Sequence, residues 1–258
     1  MSLFEIIILA LLQAATEFLP ISSSAHLLLY AELFTQAPLP LVFNVALHGG
    51  STLALLVYFR KDWLALLKQE RQQPMRSNLL PLAVATLPVA IIGLFAQHHI
   101  ATHLHSPAMT VVPLAIIGVL LWQVDQHCPS KHSMPSLTYR HALYIGVAQV
   151  LALIPGVSRS GITMLAARSL GYDRNASVKI AFMLATPVLL GALLLKSAAI
   201  LELIAQPQYL IGVVICGVAS FIVIKFLLRY IARIGFAIFA GYRLLLALTI
   251  IVYLLWKP

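Results

Sequence analysis

Six long apolar stretches set the first limit on this chain: Phe43–Phe59, Leu79–Ala96, Ala108–Val124, Ile180–Leu195, Tyr209–Ile224 and Ile234–Trp256. Each has the length and hydropathy to cross the hydrocarbon core of a bilayer as a helix. The remaining chain is too short to form a water-facing domain that could cover them. Of 258 residues, 61% are apolar and 10% charged, where a soluble domain carries about 45–50% and about 25%. The expected fold class is therefore an all-α integral membrane protein, a polytopic helical bundle with no separate soluble domain. The first segment, Ser2–Leu19, has no Lys or Arg before it and holds Glu5, so it does not read as a secretion signal. Cys128 and Cys216 lie far apart, with Cys216 mid-span, and no disulfide framework is expected.

A net charge of +9 raises the question of nucleic acid, and its distribution answers it. Arg60, Lys61, Lys68, Arg71 and Arg76 fill one linker, Lys131 and Arg140 another. Arg168, Arg174 and Lys179 fill a third, and Lys225, Arg229 and Arg233 a fourth. The linkers near 33–42, 97–107 and 199–208 hold none. Such alternation is the signature of positive-inside topology. It places the basic linkers on the cytoplasmic side and both termini outside. Trp63, Trp122 and Trp256, each near the end of a stretch, fit aromatic belts.

Two segments fail as ordinary spans. Ser2–Leu19 contains Gln13 and Glu17 and stops at Pro20, followed by Ile21-Ser22-Ser23-Ser24-Ala25-His26 and a short apolar run. Ala142–Ile154 stops at Pro155-Gly156 and resumes through Val157-Ser158-Arg159-Ser160-Gly161. Proline removes a donor and disfavours helix in the residue before it, so both should be helix, break, helix. Broken backbone at membrane depth survives only where protein or a wet cavity satisfies it, which makes each segment a re-entrant hairpin. Gln13 aligns with Gln149, the Ser22–Ser24 run with Ser158–Ser160, and Ala25 with Gly161. Paired broken helices in corresponding halves suggest two inverted repeats, about 1–124 and 141–258, with a site where they meet. With the basic linkers inside, the two hairpins enter from opposite faces.

The tips carry chemistry. Gln13 and Glu17 share one helical face, and a carboxylate in such a segment faces a cavity or a partner. Serines at a helix start cap free amides, and that start also suits phosphate. Arg159 must find an anion, in the protein or in a ligand; an ion pair with Glu17 is the structural alternative. Together the tips offer an anion site, a nucleophile, a proton carrier and a metal ligand. Four histidines in one linker, His98, His99, His103 and His105, read more simply as a wet loop than as a metal site.

Gln13–His26 and Pro155–Thr163 resemble the two signature motifs of the undecaprenyl-diphosphate phosphatases, bacterial membrane enzymes linked to bacitracin resistance. The resemblance extends through Phe43–Phe59, Gln149–Arg168, Thr186-Pro187 and Phe239–Arg243. It implies hydrolysis of undecaprenyl diphosphate to the monophosphate in the bacterial plasma membrane, on an inverted-repeat fold, with a divalent cation (magnesium or calcium). By motif position it implies Glu17, Ser23, His26 and Arg159 as the catalytic set, with Glu17 also as metal ligand. Gln13, Ser22, Ser24, Ser158, Ser160 and Thr163 fall at substrate-contact positions. Gln13 leaves a single carboxylate where the family accepts Glu or Gln, and Ala25 replaces the usual glycine. Ser23 is the expected nucleophile with His26, three residues on, as its base; direct attack by His26, or by water that it activates, is the alternative.

The phosphatidic-acid type of membrane phosphatase also uses a Ser-Arg motif, but needs a histidine and an aspartate where Leu165 and Ser169 stand. A lipid flippase is the rival from another class, since inverted repeats with broken helices also build transporters. The expected partners are a polyprenyl diphosphate lipid, membrane lipids and, in a homodimer, a second copy of the chain. Nucleic acid is not among them.

Overall fold

A computed structural model describes residues 1–35, 39–72, 78–103 and 106–256. The side chains of His98, His99, His103 and His105 lie outside the described set. Twelve α-helices carry the described residues: α1 Leu3–Phe18, α2 Ser23–Phe34, α3 Leu41–Tyr58, α4 Arg60–Gln72, α5 Leu79–His103 and α6 Pro107–His127 come first. They are followed by α7 Tyr139–Val150, α8 Arg159–Ser169, α9 Arg174–Leu195, α10 Ser197–Ile204, α11 Pro207–Ile234 and α12 Ala237–Trp256. Six of them, α3, α5, α6, α9, α11 and α12, are long and apolar enough to cross a membrane. The chain is an all-helical, multi-pass membrane protein.

Local chemistry accounts for the boundaries. Glu5, anomalous as part of a leader, closes a capping box: Glu5 N donates to Ser2 Oγ, and Ser2 N donates back to Glu5 Oε2. Both proline breaks fall where expected. Leu19 and Ile154, the residues before Pro20 and Pro155, are extended. The second arm frays first through a 3-10 turn at Leu151–Leu153.

Several expectations needed correction. The run ending at Ile224 continues as helix to Ile234, so Lys225, Arg229 and Arg233 ride on α11 rather than on a linker. Helix propensity carries the turn past the apolar stretch until Gly235, at φ 64°, ends it. The linker after α3 is likewise mostly helix, α4, with none of its residues buried. Arg168 and Arg174 are not loop charges: both bind Asp125 at the end of α6, at 3.4 Å and 2.8 Å. Asp125 also accepts the Phe236 amide at 3.0 Å. This knot ties α6, α8 and α9 to the corner between α11 and α12. Lys179 pairs with Asp62 of α4.

The helices after residue 139 follow the order of those before it: a broken pair, a span, a short helix and two long helices. Packing follows the same order. α1 lies against α11 and α7 against α5, so each broken segment leans on a long helix from the other half. The largest core cluster surrounds α8 and α9, where Ser160 through Arg168 are all buried. This packing sets the two breaks against one another.

Candidate active site

The two breaks adopt the same local geometry. Ser22 at φ 75° and Ser158 at φ 71° are the only non-glycine residues with positive φ among those described. Side chains rarely occupy that region, and such strain persists only where surroundings enforce it. Each serine then caps the helix it opens: Ser22 Oγ accepts from Ala25 N at 3.4 Å, Ser158 Oγ from Gly161 N at 3.1 Å. The tips also interlock. Gly156 N donates to Ser24 Oγ, and Ser160 Oγ lies within hydrogen-bond reach of the Glu17 and Leu19 carbonyls. Thr163 Oγ1 donates to the Arg159 carbonyl at 2.7 Å. The five hydroxyls of Ser22, Ser24, Ser158, Ser160 and Thr163, expected at substrate-contact positions, thus brace the tips in this structure.

Glu17 is the hub. Its Oε1 accepts from Arg159 Nη2 at 2.6 Å, and its Oε2 accepts from Ser23 Oγ at 2.7 Å and Gln13 Nε2 at 2.9 Å. Residues on both sides of the first break and at the helix start after the second therefore converge on one carboxylate. Arg159 Nη1 also donates to the Ala185 carbonyl at 3.2 Å, which fixes the plane of the guanidinium and leaves three of its five N–H groups without an acceptor among the described residues. The ion pair weighed as a structural alternative is present, in a site that still has donors to spare.

Two expectations about partners change. Ser23 Oγ donates to Glu17, not to His26. His26 Nδ1 is held by the Ser22 carbonyl at 2.7 Å, and its Nε2 lies 2.7 Å from the Tyr242 hydroxyl. A carbonyl only accepts, so Nδ1 carries the proton and Nε2 accepts from Tyr242 when the ring is neutral. The three-residue spacing was right for a helix starting at Ser23, but the carbonyl of the preceding turn captured the ring first. Ala25, in place of glycine, is accommodated: its methyl packs in a cluster with Leu114, Leu246, Ala247 and Ile250.

Sequence reasoning missed His48. It lies mid-way along α3, with Nδ1 3.0 Å from Gln13 Nε2 and 3.6 Å from Glu17 Oε2. A titratable residue inside an apolar span was the available signal. Gln149, the counterpart of Gln13, is fully buried and neither of its amide atoms has a partner among the described residues.

Hard divalent cations take oxygen ligands and accept one carboxylate completed by substrate phosphates. Gln13 Oε1 is buried without a partner among the described residues, one helical turn from Glu17, so the chain supplies two oxygen-bearing side chains of the type such an ion takes. Among the described residues no group of three or more His, Cys, Asp or Glu gathers that could hold one alone.

A broken-helix membrane protein whose two helix starts, a serine, a carboxylate and a guanidinium meet inside the bundle has the equipment for an anionic lipid headgroup. Residues 6–249 match the family described as Bacitracin resistance protein BacA, and the chain belongs to that family. It is 42% identical over 261 residues to an undecaprenyl-diphosphatase of Alteromonas mediterranea, covering 97% of this chain and 98% of that protein. It is 39% identical over 260 residues to one of Desulforudis audaxviator, across the full length of both. With that of Alcanivorax borkumensis it shares 37% over 264 residues, covering 98% of this chain and all of the relative.

Proposed function

We propose that this chain hydrolyses undecaprenyl diphosphate to undecaprenyl phosphate and inorganic phosphate, recycling the lipid carrier of cell-wall synthesis. The observation that carries this reading is the single carboxylate of Glu17, bound at one oxygen by Ser23 and at the other by Arg159. Ser23 is the nucleophile and Glu17, at 2.7 Å, its base, taking the role first given to His26. As the Oγ–phosphorus bond forms, the proton moves to Glu17 and the bridging oxygen leaves with the polyprenyl phosphate. Water then takes the phosphoryl group from Ser23, Glu17 returns the proton to Oγ, and inorganic phosphate departs. Arg159 holds the equatorial oxygens through its free N–H groups, where transition-state charge spreads. The starts of α2 and α8 add amides and a partial positive charge. His26 is the rival nucleophile. Glu17 with Gln13 Oε1 would hold a divalent cation, which when bound would neutralise phosphate charge.

The halves 1–124 and 141–258 are read as inverted repeats and their broken segments as re-entrant hairpins, supported by the matched turns at Ser22 and Ser158 and the reciprocal packing of α1 and α7. The alternating Lys and Arg support a plasma-membrane orientation with the site opening to the outer face; labelling of a cysteine at Lys68 from outside intact cells would contradict it.

Purified protein in detergent should release inorganic phosphate from a long-chain prenyl diphosphate, and a chelator should suppress that release. A flippase with no hydrolytic function would bind the lipid and release nothing, and that outcome would overturn the proposal.

A further inference from the structure

Arg243 of α12 is fully buried and takes part in none of the ion pairs among the described residues. Backbone carbonyls surround it instead. Its Nε donates to Leu114 O at 3.1 Å and its Nη1 to Pro20 O at 3.1 Å. Its Nη2 reaches Pro113 O, Gly156 O and Val157 O at 3.2, 2.8 and 3.1 Å. Pro20 belongs to the first tip, Gly156 and Val157 to the second, and Pro113 and Leu114 to α6.

The backbone is shaped around this side chain. A Cβ on Gly118 would stand 3.3 Å from Arg243 Cβ, and one on Gly161 would stand 3.3 Å from Arg243 Nη1. Gly156 turns its carbonyl toward the guanidinium at φ 92°, a conformation that costs little only for glycine. Carbonyl dipoles solvate a cation without cancelling its charge, and a buried charge left uncompensated is expensive.

Arg159 differs in this respect. Its charge is met at 2.6 Å by Glu17, so before substrate arrives that pair contributes almost no net charge. We infer that Arg243, held between the two tips, supplies the protein's own net positive charge at the site and with it a preference for a diphosphate over a monophosphate. Arg243 need not touch the ligand for this: it fixes the tips as a positioning residue and acts through its field, which water screens little inside the bundle. The inference rests on the diphosphate reading of the site.

The test compares inhibition constants for farnesyl monophosphate and for the methylene-bridged, uncleavable analogue of farnesyl diphosphate. The second carries about one more negative charge, so the ratio of the two affinities reports the field, while general loosening of the tips weakens both alike. In Arg243→Gln the preference for the diphosphate analogue should fall about tenfold. In Arg243→Lys, which keeps a cation but cannot reach both tips, turnover should fall while the preference stays within about threefold of the wild type. Should the glutamine variant not accumulate in membranes, the lysine variant decides alone: a preference lost together with turnover would overturn the inference. An unchanged preference in Arg243→Gln would overturn it equally. A wild-type protein that binds neither compound would remove the diphosphate reading itself, and this inference with it.

Discussion

Arg159→Lys should insert and fold as the wild type does, yet hydrolyse its lipid about 10³–10⁵ times more slowly. The fold is expected to survive because a lysine ammonium can still meet Glu17, which in the wild type lies 2.6 Å from Arg159 Nη2. A buried carboxylate left without a partner costs roughly 3–5 kcal/mol, so Arg159→Ala is the harsher and less informative change. Turnover should collapse because the lysine has no fork. The wild-type guanidinium is pinned by Glu17 and the Ala185 carbonyl and can present its other N–H groups to two phosphoryl oxygens at once; an ammonium on a flexible stem cannot. Phosphate release per folded protein, with melting temperature as the control, measures it. A lysine variant retaining more than about a tenth of wild-type turnover would lie far outside that range and would make the ion pair with Glu17 the arginine's whole purpose.

Glu17→Gln should lower turnover by about 10²–10⁴. Glutamine is close to isosteric: its oxygen can still accept from Arg159 at the Oε1 position, and its amide can donate to Ser23 Oγ where Oε2 stood, so the tips should stay closed and the protein should still fold and insert. It cannot take the proton from Ser23 Oγ, and it weakens the one anionic ligand a cation could use. Removing a negative charge beside the phosphate position should also tighten binding of inorganic phosphate as a competitive inhibitor. Lower turnover with tighter phosphate binding is the combined signature, and steady-state inhibition measures both. Near wild-type turnover would remove Glu17 from both proposed roles.

Much of this was legible before any coordinates. Apolar length gave the membrane class, and Pro20 and Pro155 located the breaks to the residue, because proline acts on its immediate neighbours. Glu17 and Arg159 were readable because charge inside an apolar segment is costly. His48 obeyed the same rule and was passed over, since the rest of its span looked ordinary. The left-handed turns at Ser22 and Ser158 were not legible: serine has no preference for that region, and only the capping bonds and the facing tip enforce it. Pairing Ser23 with His26 failed because spacing along a helix says nothing of competitors, and the Ser22 carbonyl and Tyr242 took both ring nitrogens. Tyr242 and Arg243 lie more than eighty residues from either tip, and no local pattern brings α12 to the breaks. The charges on α11 were misread as a linker because apolarity marks where lipid ends, not where helix ends.

The central claim is that chemistry happens at the serine that Glu17 and Arg159 bracket. Rapid quenching of the wild-type protein during turnover of a radiolabelled prenyl diphosphate, followed by peptide mass spectrometry, tests it most directly. A phosphoryl group on Ser23, absent from Ser23→Ala, is the expected result. A phosphohistidine at His26 would contradict the assignment and make the imidazole the nucleophile.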